Sequence, residues 1–322
     1  MSVPQLFLSS GDLTADRRFE IARELESRGD LAAAQDVLMQ TVELAPGFSS
    51  AWFALGELRE KIGDRAGAIA AFNGARDADP DDRLGAALHL ARLGAADASA
   101  AMAGAYVRTL FDQYAPRFDD SLAKLAYRAP DVLRTAVEAA CRADGRAMKF
   151  GSVLDLGCGT GLAGVAFRPH VDWLVGVDLS QAMIVEARGK GAYDRLIVAD
   201  AIAYLAEEAE RDARYHLAVA ADVLPYVADA APLAAAVARV LYPDGLFAFT
   251  TETHGGDGVR LGDKLRYAHG AAHVHAALTA AGLAIVSLEP CSTRSEAGVP
   301  VPGLAAIATK RQAEGGRAPN RT

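Results

Sequence analysis

The chain has 322 residues, of which 51% are hydrophobic, so it is long enough to form more than one hydrophobic core. Its 33 lysines and arginines are outnumbered by 41 aspartates and glutamates, which gives a formal net charge of -8. A protein with this charge is poorly suited to holding a polyphosphate by bulk electrostatics, so we expect no nucleic-acid partner.

The termini and the cysteines give expectations about location. The segment "MSVPQLFLSSGDLTADRR" has no basic start, and its apolar run is too short for a signal peptide or a membrane span. The three cysteines form neither a C-x-x-C pair nor a His-containing cluster with the spacing of a metal site. We therefore expect a soluble, cytoplasmic protein with no membrane or metal partner. Residues 311–322 are polar and aperiodic, which predicts a disordered tail.

A 34-residue repeat organises the first part of the chain. The Gly-Asp pair at positions 29–30 recurs at 63–64, and the proline at 46 recurs at 80. Residues 52–80 also resemble the W-x-x-L-G, A-x-x-x-F, A and P pattern of the tetratricopeptide repeat, which has this period. We predict an all-α repeat domain over residues 1–108, with a third, degenerate helix pair beginning near Arg83. Such a domain either binds a protein partner or serves as a packing or dimerisation appendage, and the sequence does not separate the two.

The pattern changes near residue 150, where short apolar runs alternate with helix-length segments. Seven runs have the composition of β-strands: residues 152–156, 173–178, 195–200, 215–222, 245–252, 283–289 and 304–310. Helical segments separate most of them, so the first five should form a parallel, doubly wound sheet. We predict an α/β domain over residues 109–310. In such a sheet ligands bind at the carboxyl ends of the strands.

The stretch "VLDLGCGTG" places three glycines at the first of these strand ends. Gly157, Gly159 and Gly161 remove side chains where the backbone must turn sharply and approach a ligand. A helix predicted from Leu162 points its N-terminus at the same place. The loop is therefore the predicted centre of a ligand site, in which Cys158 is a small packing residue.

Acidic residues stand at the next two strand ends. Asp178 follows the first glycine by about 20 residues, where a carboxylate can accept hydrogen bonds from both hydroxyls of a ribose. Asp200 and Ala201 end the third strand and suit the edge of an adenine ring. Together the three strand ends predict a nucleoside site.

Two classes of cofactor contain such a nucleoside. Gly159, Gly161 and Gly164 satisfy the G-x-G-x-x-G pattern of dinucleotide-binding proteins. Asp155, however, lies just before the glycines, where its charge would oppose a pyrophosphate but would attract a cationic amino-acid group. The charge of Asp155 therefore favours a cofactor with a cationic amino-acid group over a dinucleotide.

These residues resemble the motifs of class I S-adenosylmethionine-dependent methyltransferases. The first motif is matched by Val153–Gly161, and "VGVDLSQAMIVEAR", "VADA", "LAVAADVLPYV" and "VARVLYPDGLFAFTTE" are similar to the elements that follow it, in the same order. The resemblance implies a Rossmann-like, seven-stranded sheet and S-adenosyl-L-methionine as cofactor. The cofactor-binding residues it implies, including those already reached above, are Asp155, Gly157, Gly159, Gly161, Asp178, Leu179, Ser180, Met183, Asp200, Ala201 and Asp222.

An aromatic segment precedes the motifs. "LFDQYAPRFDDSLAKLAYRAP" resembles the lead-in of small-molecule members of the family, so Phe111, Tyr114 and Phe118 are expected either to fold over the cofactor as a lid or to pack as ordinary helix residues. The whole chain resembles bacterial fusions of tetratricopeptide repeats with a methyltransferase. We expect a small-molecule or carrier-bound methyl acceptor and a protein partner for the repeats.

Methyl transfer requires a general base only if the acceptor atom must lose a proton. The candidates are His254, which follows the fifth strand, and then His269; His273 and His275 are nearby, and each alone could be a surface or capping residue. An alternative function is an adaptor whose repeats bind a partner and whose second domain binds the cofactor without catalysis. The intact glycines and acidic residues favour an enzyme.

Overall fold

The computed structural model describes residues 6–311, so all but the first residue of the predicted tail lies outside the described residues. The chain divides into two compact units. The first runs to Tyr114 and includes Leu261–Arg266, and the second comprises Ala115–Arg260 and the residues from Tyr267 onward. A boundary after residue 108, as the sequence suggested, would cut a helix that ends at Tyr114. The division therefore falls at the end of that helix.

The first unit is helical throughout its regular structure. Its helices are α1 (Leu13–Ser27), α2 (Leu31–Leu44), α3 (Ser49–Lys61), α4 (Arg65–Ala78), α5 (Ala86–Arg92) and α6 (Gly104–Tyr114). Helix α1 packs against α2, and α3 packs against α4, as two successive hairpins.

The two hairpins turn in the same way, 34 residues apart. Gly29 and Gly63 have φ values of 86° and 84°, a left-handed conformation that glycine adopts without steric cost. Asp30 and Asp64 each cap the following helix by accepting a hydrogen bond from a main-chain N–H three residues later. The repeat in the sequence is thus a repeat in backbone geometry.

Small residues allow the helices of the second hairpin to approach closely. A Cβ atom at Gly56 would lie 2.6 Å from Cε1 of Phe72, so only glycine fits against that ring. Phe72 and Ala68 are fully buried between the helices. Burial of this seam supplies the apolar contact that stabilises an antiparallel helix pair.

Two helices, α5 and α6, lie in the segment where the sequence predicts a third, degenerate pair. Helix α5 has only seven residues, and irregular chain with one short 3₁₀ turn separates it from α6. Gly85, with a φ of 78°, starts α5 in a left-handed conformation, and Gly94 follows its end. Glycines at both ends limit the length of this helix.

The second unit contains helices on a central sheet. Its helices are α7 (Phe118–Lys124), α8 (Ala129–Ala143), α9 (Leu162–Phe167), α10 (Gln181–Gly189), α11 (Ala201–Glu210), α12 (Ala230–Val240) and α13 (Ala271–Ala280). The strands are β1 (Phe150–Leu156), β2 (Val171–Asp178), β3 (Arg195–Val198), β4 (Tyr215–Ala220), β5 (Leu241–Glu252), β6 (Val259–Leu261), β7 (Tyr267–His269), β8 (Leu283–Cys291), β9 (Ser295–Glu296), β10 (Val299–Pro300) and β11 (Gly303–Lys310). No helix within residues 6–311 is both long enough and apolar enough to cross a bilayer.

The sheet follows the order β3-β2-β1-β4-β5-β11-β8. The first five strands along the chain are parallel, as predicted, and β11 runs antiparallel between β5 and β8. The predicted count of seven is too low for the described residues, because the short strands β6 and β7 also join the sheet through β5 and bring the total to nine. Three-residue strands are too short to show a periodicity in the sequence.

Strand β1 lies at the point where the strand order reverses, since it pairs with β2 on one side and with β4 on the other. Apolar residues of β1 face helices on both sides of the sheet: Leu154 packs in one core cluster and Val153 in another. This alternation fixes β1 as a buried central strand and places its carboxyl end at the switch point, where ligands of such sheets bind.

Candidate functional site

The loop from Gly157 to Gly161 connects β1 to α9 at this switch point. Its three glycines have φ values of 61°, 53° and 93°, all in the left-handed region. A Cβ at Gly157 would lie 2.5 Å from Cγ2 of Val223, whereas at Gly159 the nearest atom would be Cε1 of Phe118 at 3.9 Å. The backbone at Gly159 is therefore the more open part of the loop.

Asp178, at the end of β2, fixes the position of this loop. Its Oδ2 accepts a hydrogen bond of 2.8 Å from the main-chain N–H of Gly159, and its Oδ1 accepts one of 2.8 Å from Ser180. A carboxylate oxygen can accept more than one hydrogen bond, which is the acceptor chemistry that ribose hydroxyls require. The structure thus brings Asp178 and the glycine loop together, as the sequence predicted.

Asp155, near the end of β1, is almost completely buried, with 2% of its surface exposed. Its Oδ2 accepts a hydrogen bond of 2.6 Å from the hydroxyl of Tyr193, and its Oδ1 has no hydrogen-bond partner among residues 6–311. Burial raises the pKa of Asp155 to about 7; the hydrogen bond from Tyr193 opposes this rise and the negative charge of Asp178 adds to it. A buried carboxylate with a free oxygen is suited to receiving a donor from a ligand.

Tyr193 is a site residue that the sequence analysis missed. It lies between α10 and β3, and its hydroxyl also accepts a hydrogen bond of 3.1 Å from the N–H of Gly164. Cβ atoms at Gly164, Gly176 and Gly161 would lie 2.2, 2.7 and 3.0 Å from its ring. The third glycine of the apparent G-x-G-x-x-G pattern is therefore required by an aromatic ring of the protein itself. A glycine in the middle of β2 was the available signal, since such a glycine marks close approach by another group.

The residues that follow Asp178 form the start of α10. Ser180 caps the helix, its hydroxyl accepting a hydrogen bond of 3.1 Å from the N–H of Met183. Ser180 and Met183 are fully buried, and Leu179 is partly exposed. Their role in holding a cofactor stays a prediction.

Asp200 and Ala201 lie at the end of β3, where α11 begins. Asp200 is exposed and caps the helix by accepting a hydrogen bond of 2.9 Å from the N–H of Ala203. Ala201 is the first residue of the helix. The structure thus gives Asp200 a capping role, and an additional contact with adenine stays a prediction.

Asp222, just after β4, lies in a different environment. Its Oδ1 accepts a hydrogen bond of 2.7 Å from the hydroxyl of Thr250, and its Oδ2 accepts one of 2.8 Å from Thr293. Arg294 forms ion pairs with Asp222 at 3.3 Å and with Glu252, and only 7% of its surface is exposed. The partners of Asp222 are thus supplied by the protein, a pattern that its sequence neighbours did not reveal because Thr293 and Arg294 come some 70 residues later.

The two histidine candidates differ in access. His254 is partly exposed; its Nδ1 accepts a hydrogen bond of 3.1 Å from the N–H of Gly256, and its Nε2 has no partner in the described part of the chain. His269 is completely buried, and its Nε2 lies 3.2 Å from the carbonyl oxygen of Leu224, to which a neutral imidazole donates. Burial lowers the pKa of His269. Its environment is that of a structural histidine, and for both residues a role in catalysis stays a prediction.

Comparison with known proteins identifies this part of the chain. Residues 153–245, which run from β1 into β5 and contain the glycine loop, match a family model described as a methyltransferase domain. This segment is similar to methyltransferase domains. Methyltransferase-like protein 27 of Homo sapiens is 39% identical over 87 residues, which are 27% of this chain and 34% of that protein. The match thus spans about a third of the length of this relative.

Solved structures are also similar to this chain. The 1,6-didemethyltoxoflavin-N1-methyltransferase of Burkholderia thailandensis, solved with 1,6-didemethyltoxoflavin and S-adenosylhomocysteine, has a TM-score of 0.50 and 20% identity, covering 65% of this chain and 88% of its own. An S-adenosylmethionine-dependent methyltransferase from Clostridium acetobutylicum has a TM-score of 0.46 and 17% identity, covering 61% of this chain and 99% of its own.

Helix α7, which precedes β1, contacts the glycine loop. Asp119, in α7, accepts a hydrogen bond of 2.5 Å from the hydroxyl of Thr160 and forms an ion pair of 2.7 Å with Lys190. Lys190 also donates to the carbonyl oxygen of Thr160 at 2.7 Å. Phe118, the first residue of α7, is the nearest residue to the open side of Gly159.

The other two aromatic residues expected in a lid belong to a different part of the chain. Phe111 and Tyr114 lie in α6, which is part of the first unit. Their place over a cofactor stays a prediction, and only Phe118 lies on the same unit as the glycine loop.

Proposed function

We propose that the chain is an S-adenosylmethionine-dependent methyltransferase that acts on a small-molecule or carrier-bound acceptor. The observation that carries the proposal is the pair of carboxylates, Asp155 and Asp178, on either side of a glycine loop at the switch point of a methyltransferase domain. Two acidic groups at this place suit a ligand with a ribose and an ammonium group, and they oppose a pyrophosphate.

The residues present fit this cofactor. Asp178 offers carboxylate oxygens, the acceptors that ribose hydroxyls require, and Asp155 has a buried oxygen without a partner in residues 6–311 for the ammonium group. The open backbone of Gly159 gives room for close approach. The dinucleotide alternative loses its main support, since Tyr193 accounts for Gly164.

S-adenosylmethionine, when bound, supplies a methyl group on a positively charged sulfur, which is already activated for transfer. The protein then has to hold the acceptor atom in line with that methyl group and keep water away, which can supply much of the rate acceleration. His254, which follows β5, is our candidate to receive a proton from acceptors that must lose one.

We propose that the first unit is a tetratricopeptide-repeat array that binds a protein, such as a carrier that delivers the acceptor. The support is the identical turn and cap geometry of its two hairpins at the period of that repeat. Deletion of residues 1–100, which ends before α6, should then preserve affinity for S-adenosylhomocysteine and abolish only recruitment. A truncated protein that aggregates in light-scattering measurements would indicate a packing role instead.

The cofactor proposal is tested by thermal-shift measurements on the full chain with S-adenosylhomocysteine and with NAD. We expect S-adenosylhomocysteine to raise the unfolding temperature and NAD to leave it unchanged, because a ligand stabilises the state that binds it. Stabilisation by NAD alone would overturn the proposal.

A further inference from the structure

The hydroxyl of Tyr193 has a fixed direction of hydrogen bonding. It lies 3.1 Å from the N–H of Gly164 and 2.6 Å from Oδ2 of Asp155. An amide N–H can only donate, so the hydroxyl accepts from Gly164 and its single proton points to Asp155. Burial, together with the charge of Asp155, raises the pKa of Tyr193 well above its usual value, so the phenol keeps this proton.

The surroundings of the ring hold this geometry in place. Glycines in three different elements, the loop (Gly161), α9 (Gly164) and β2 (Gly176), leave space that a Cβ atom would fill. A side chain on any of them would come within 3.0 Å of the ring. The ring is therefore enclosed by backbone on three sides, and Asp155 is bound to a group that cannot readily move.

The other oxygen of Asp155 is left for a ligand. Oδ1 is buried and has no hydrogen-bond partner within the described residues. The titratable groups that interact with Asp155 are Tyr193, Asp178, Cys158 and Tyr127, which come from the loops and strand ends around it. These groups are neutral or negative, so the cation that would match a buried carboxylate is not supplied by them.

We infer that Tyr193 is a positioning residue: it holds Oδ2 of Asp155 so that Oδ1 receives the ammonium group of the cofactor. This inference rests on the proposed function, because it concerns the amino-acid end of the same ligand. Tyr193 itself touches neither the methyl group nor the acceptor. It acts through the orientation and the ionisation of Asp155.

The arrangement predicts that binding of the ammonium group depends on pH, whereas binding of the nucleoside does not. Because the pKa of Asp155 is raised to about 7, the carboxylate that attracts an ammonium group is lost as the pH falls below that value. The hydrogen bond from Tyr193 lowers this pKa, so its removal moves the loss to higher pH. The nucleoside end of the ligand, which Asp178 and the loop contact in our proposal, is independent of this titration.

The test is calorimetric titration of the full chain and of Tyr193→Phe with two ligands, from about pH 5.5 to about pH 8.5. S-adenosylhomocysteine carries the ammonium group, and 5′-methylthioadenosine is the same nucleoside without the amino-acid end. For the wild type we expect the affinity for S-adenosylhomocysteine to fall as the pH is lowered below about 7, a fall that we call the acid limb. The affinity for 5′-methylthioadenosine should stay constant over the same range. In Tyr193→Phe the acid limb should move up by about one pH unit, with about 5- to 10-fold weaker binding of S-adenosylhomocysteine near pH 7.

A matched control exists in the same unit. Tyr215 donates to Oε2 of Glu208, also at 2.6 Å and also buried, so Tyr215→Phe removes an equal tyrosine–carboxylate bond elsewhere. This variant should leave both ligand profiles unchanged. Asp155→Asn provides a second variant, in which the acid limb for S-adenosylhomocysteine should disappear.

The outcomes separate this inference from the proposed function. If S-adenosylhomocysteine and 5′-methylthioadenosine weaken equally in Tyr193→Phe, or if the acid limb does not move, the positioning role is overturned. If neither ligand binds the wild type, the cofactor proposal itself fails. If Tyr193→Phe does not fold, the wild-type and Asp155→Asn profiles still decide, because a wild-type profile without an acid limb overturns the inference.

Discussion

Two aspartates near strand ends show how the same residue type acquires different roles. Asp155 near the end of β1 and Asp222 just after β4 are both mostly buried in the second unit. Asp222 receives two hydroxyls and a guanidinium, from Thr250, Thr293 and Arg294. Asp155 receives one neutral hydroxyl, and its other oxygen has no hydrogen-bond partner within residues 6–311.

The difference lies in where the matching cation comes from. A buried carboxylate is costly unless a cation and hydrogen bonds compensate for its lost hydration. Arg294 provides this compensation to Asp222 and Glu252, so both carboxylates are paired with a cation of the protein. Among the described residues, the groups that shift the pKa of Asp155 are Tyr193 and Asp178, neither of them a cation, and a ligand with an ammonium group would complete the site. Carboxylates with unusual pKa values and free oxygens are therefore better guides to a binding site than strand-end position alone.

The largest effect, on the free energy of unfolding, is expected where a buried arginine pairs with carboxylates of the protein. Arg294→Ala removes a buried cation from Asp222, Glu252 and Glu296 and should destabilise the second unit by about 3–5 kcal/mol. Urea-induced unfolding measures the loss. Arg142→Ala is the control, because Arg142 pairs with Glu138 on an exposed surface, where such a pair contributes about 0.5 kcal/mol or less. Equal effects of the two substitutions would contradict our account of the Asp222 cluster.

The next effect concerns ligand affinity. Asp178→Ala removes the proposed acceptor of two ribose hydroxyls and the anchor of the Gly159 N–H, and should weaken S-adenosylhomocysteine by roughly 30- to 150-fold. Calorimetry measures the change. Asp172→Ala, at an exposed position near the other end of β2, should have no effect on affinity. Unchanged affinity in Asp178→Ala would mean that the ribose lies elsewhere.

Much of this site was predictable because its signals are local. The alternation of strands and helices fixed the parallel sheet, and the glycines with Asp178 marked the switch point. Long-range partners were not predictable: Tyr193 reaches Asp155 across 38 residues, and Thr293 reaches Asp222 across 71. The resemblance places Asp222 among the cofactor residues, which stays a prediction, and nothing adjacent to it in the sequence indicates that it pairs with a distant arginine. The short strands β6 and β7 were missed for the related reason that tertiary contacts set them.

A smaller effect, with the opposite sign, is expected at Asp155. Its pKa near 7 lies above the ordinary value of 3.8, so the native carboxyl keeps a proton that the unfolded chain loses, and stability falls as pH rises between these values. Asn cannot ionise, so Asp155→Asn should be more stable than the wild type by roughly 1–3 kcal/mol at about pH 8 and should lose this advantage at about pH 4. Thermal unfolding at both values measures it. A variant less stable than the wild type at pH 8 would contradict the account.

The smallest effect is expected at the contact between α7 and the glycine loop. Asp119→Ala removes a hydrogen bond to Thr160 and a partly exposed ion pair with Lys190, which should cost at most about 1 kcal/mol of stability. We expect faster dissociation of S-adenosylhomocysteine by a few-fold, because α7 holds Phe118 beside Gly159. Stopped-flow measurements against the neighbouring Asp120→Ala variant, whose side chain is exposed, would detect it. Identical dissociation rates in the two variants would show that α7 does not retain the ligand.

The most direct test of the central claim compares Asp155→Asn with Asp222→Asn, at about pH 8 and with each variant shown to be folded. Calorimetry with S-adenosylhomocysteine should show at least a roughly 10-fold loss of affinity for Asp155→Asn, because the ammonium group loses its charged partner. For Asp222→Asn, whose charge Arg294 already matches, the affinity should stay within about 3-fold of the wild type. A larger loss at Asp222 than at Asp155, or equal losses at both, would contradict the assignment of the cation-binding end of the site to β1.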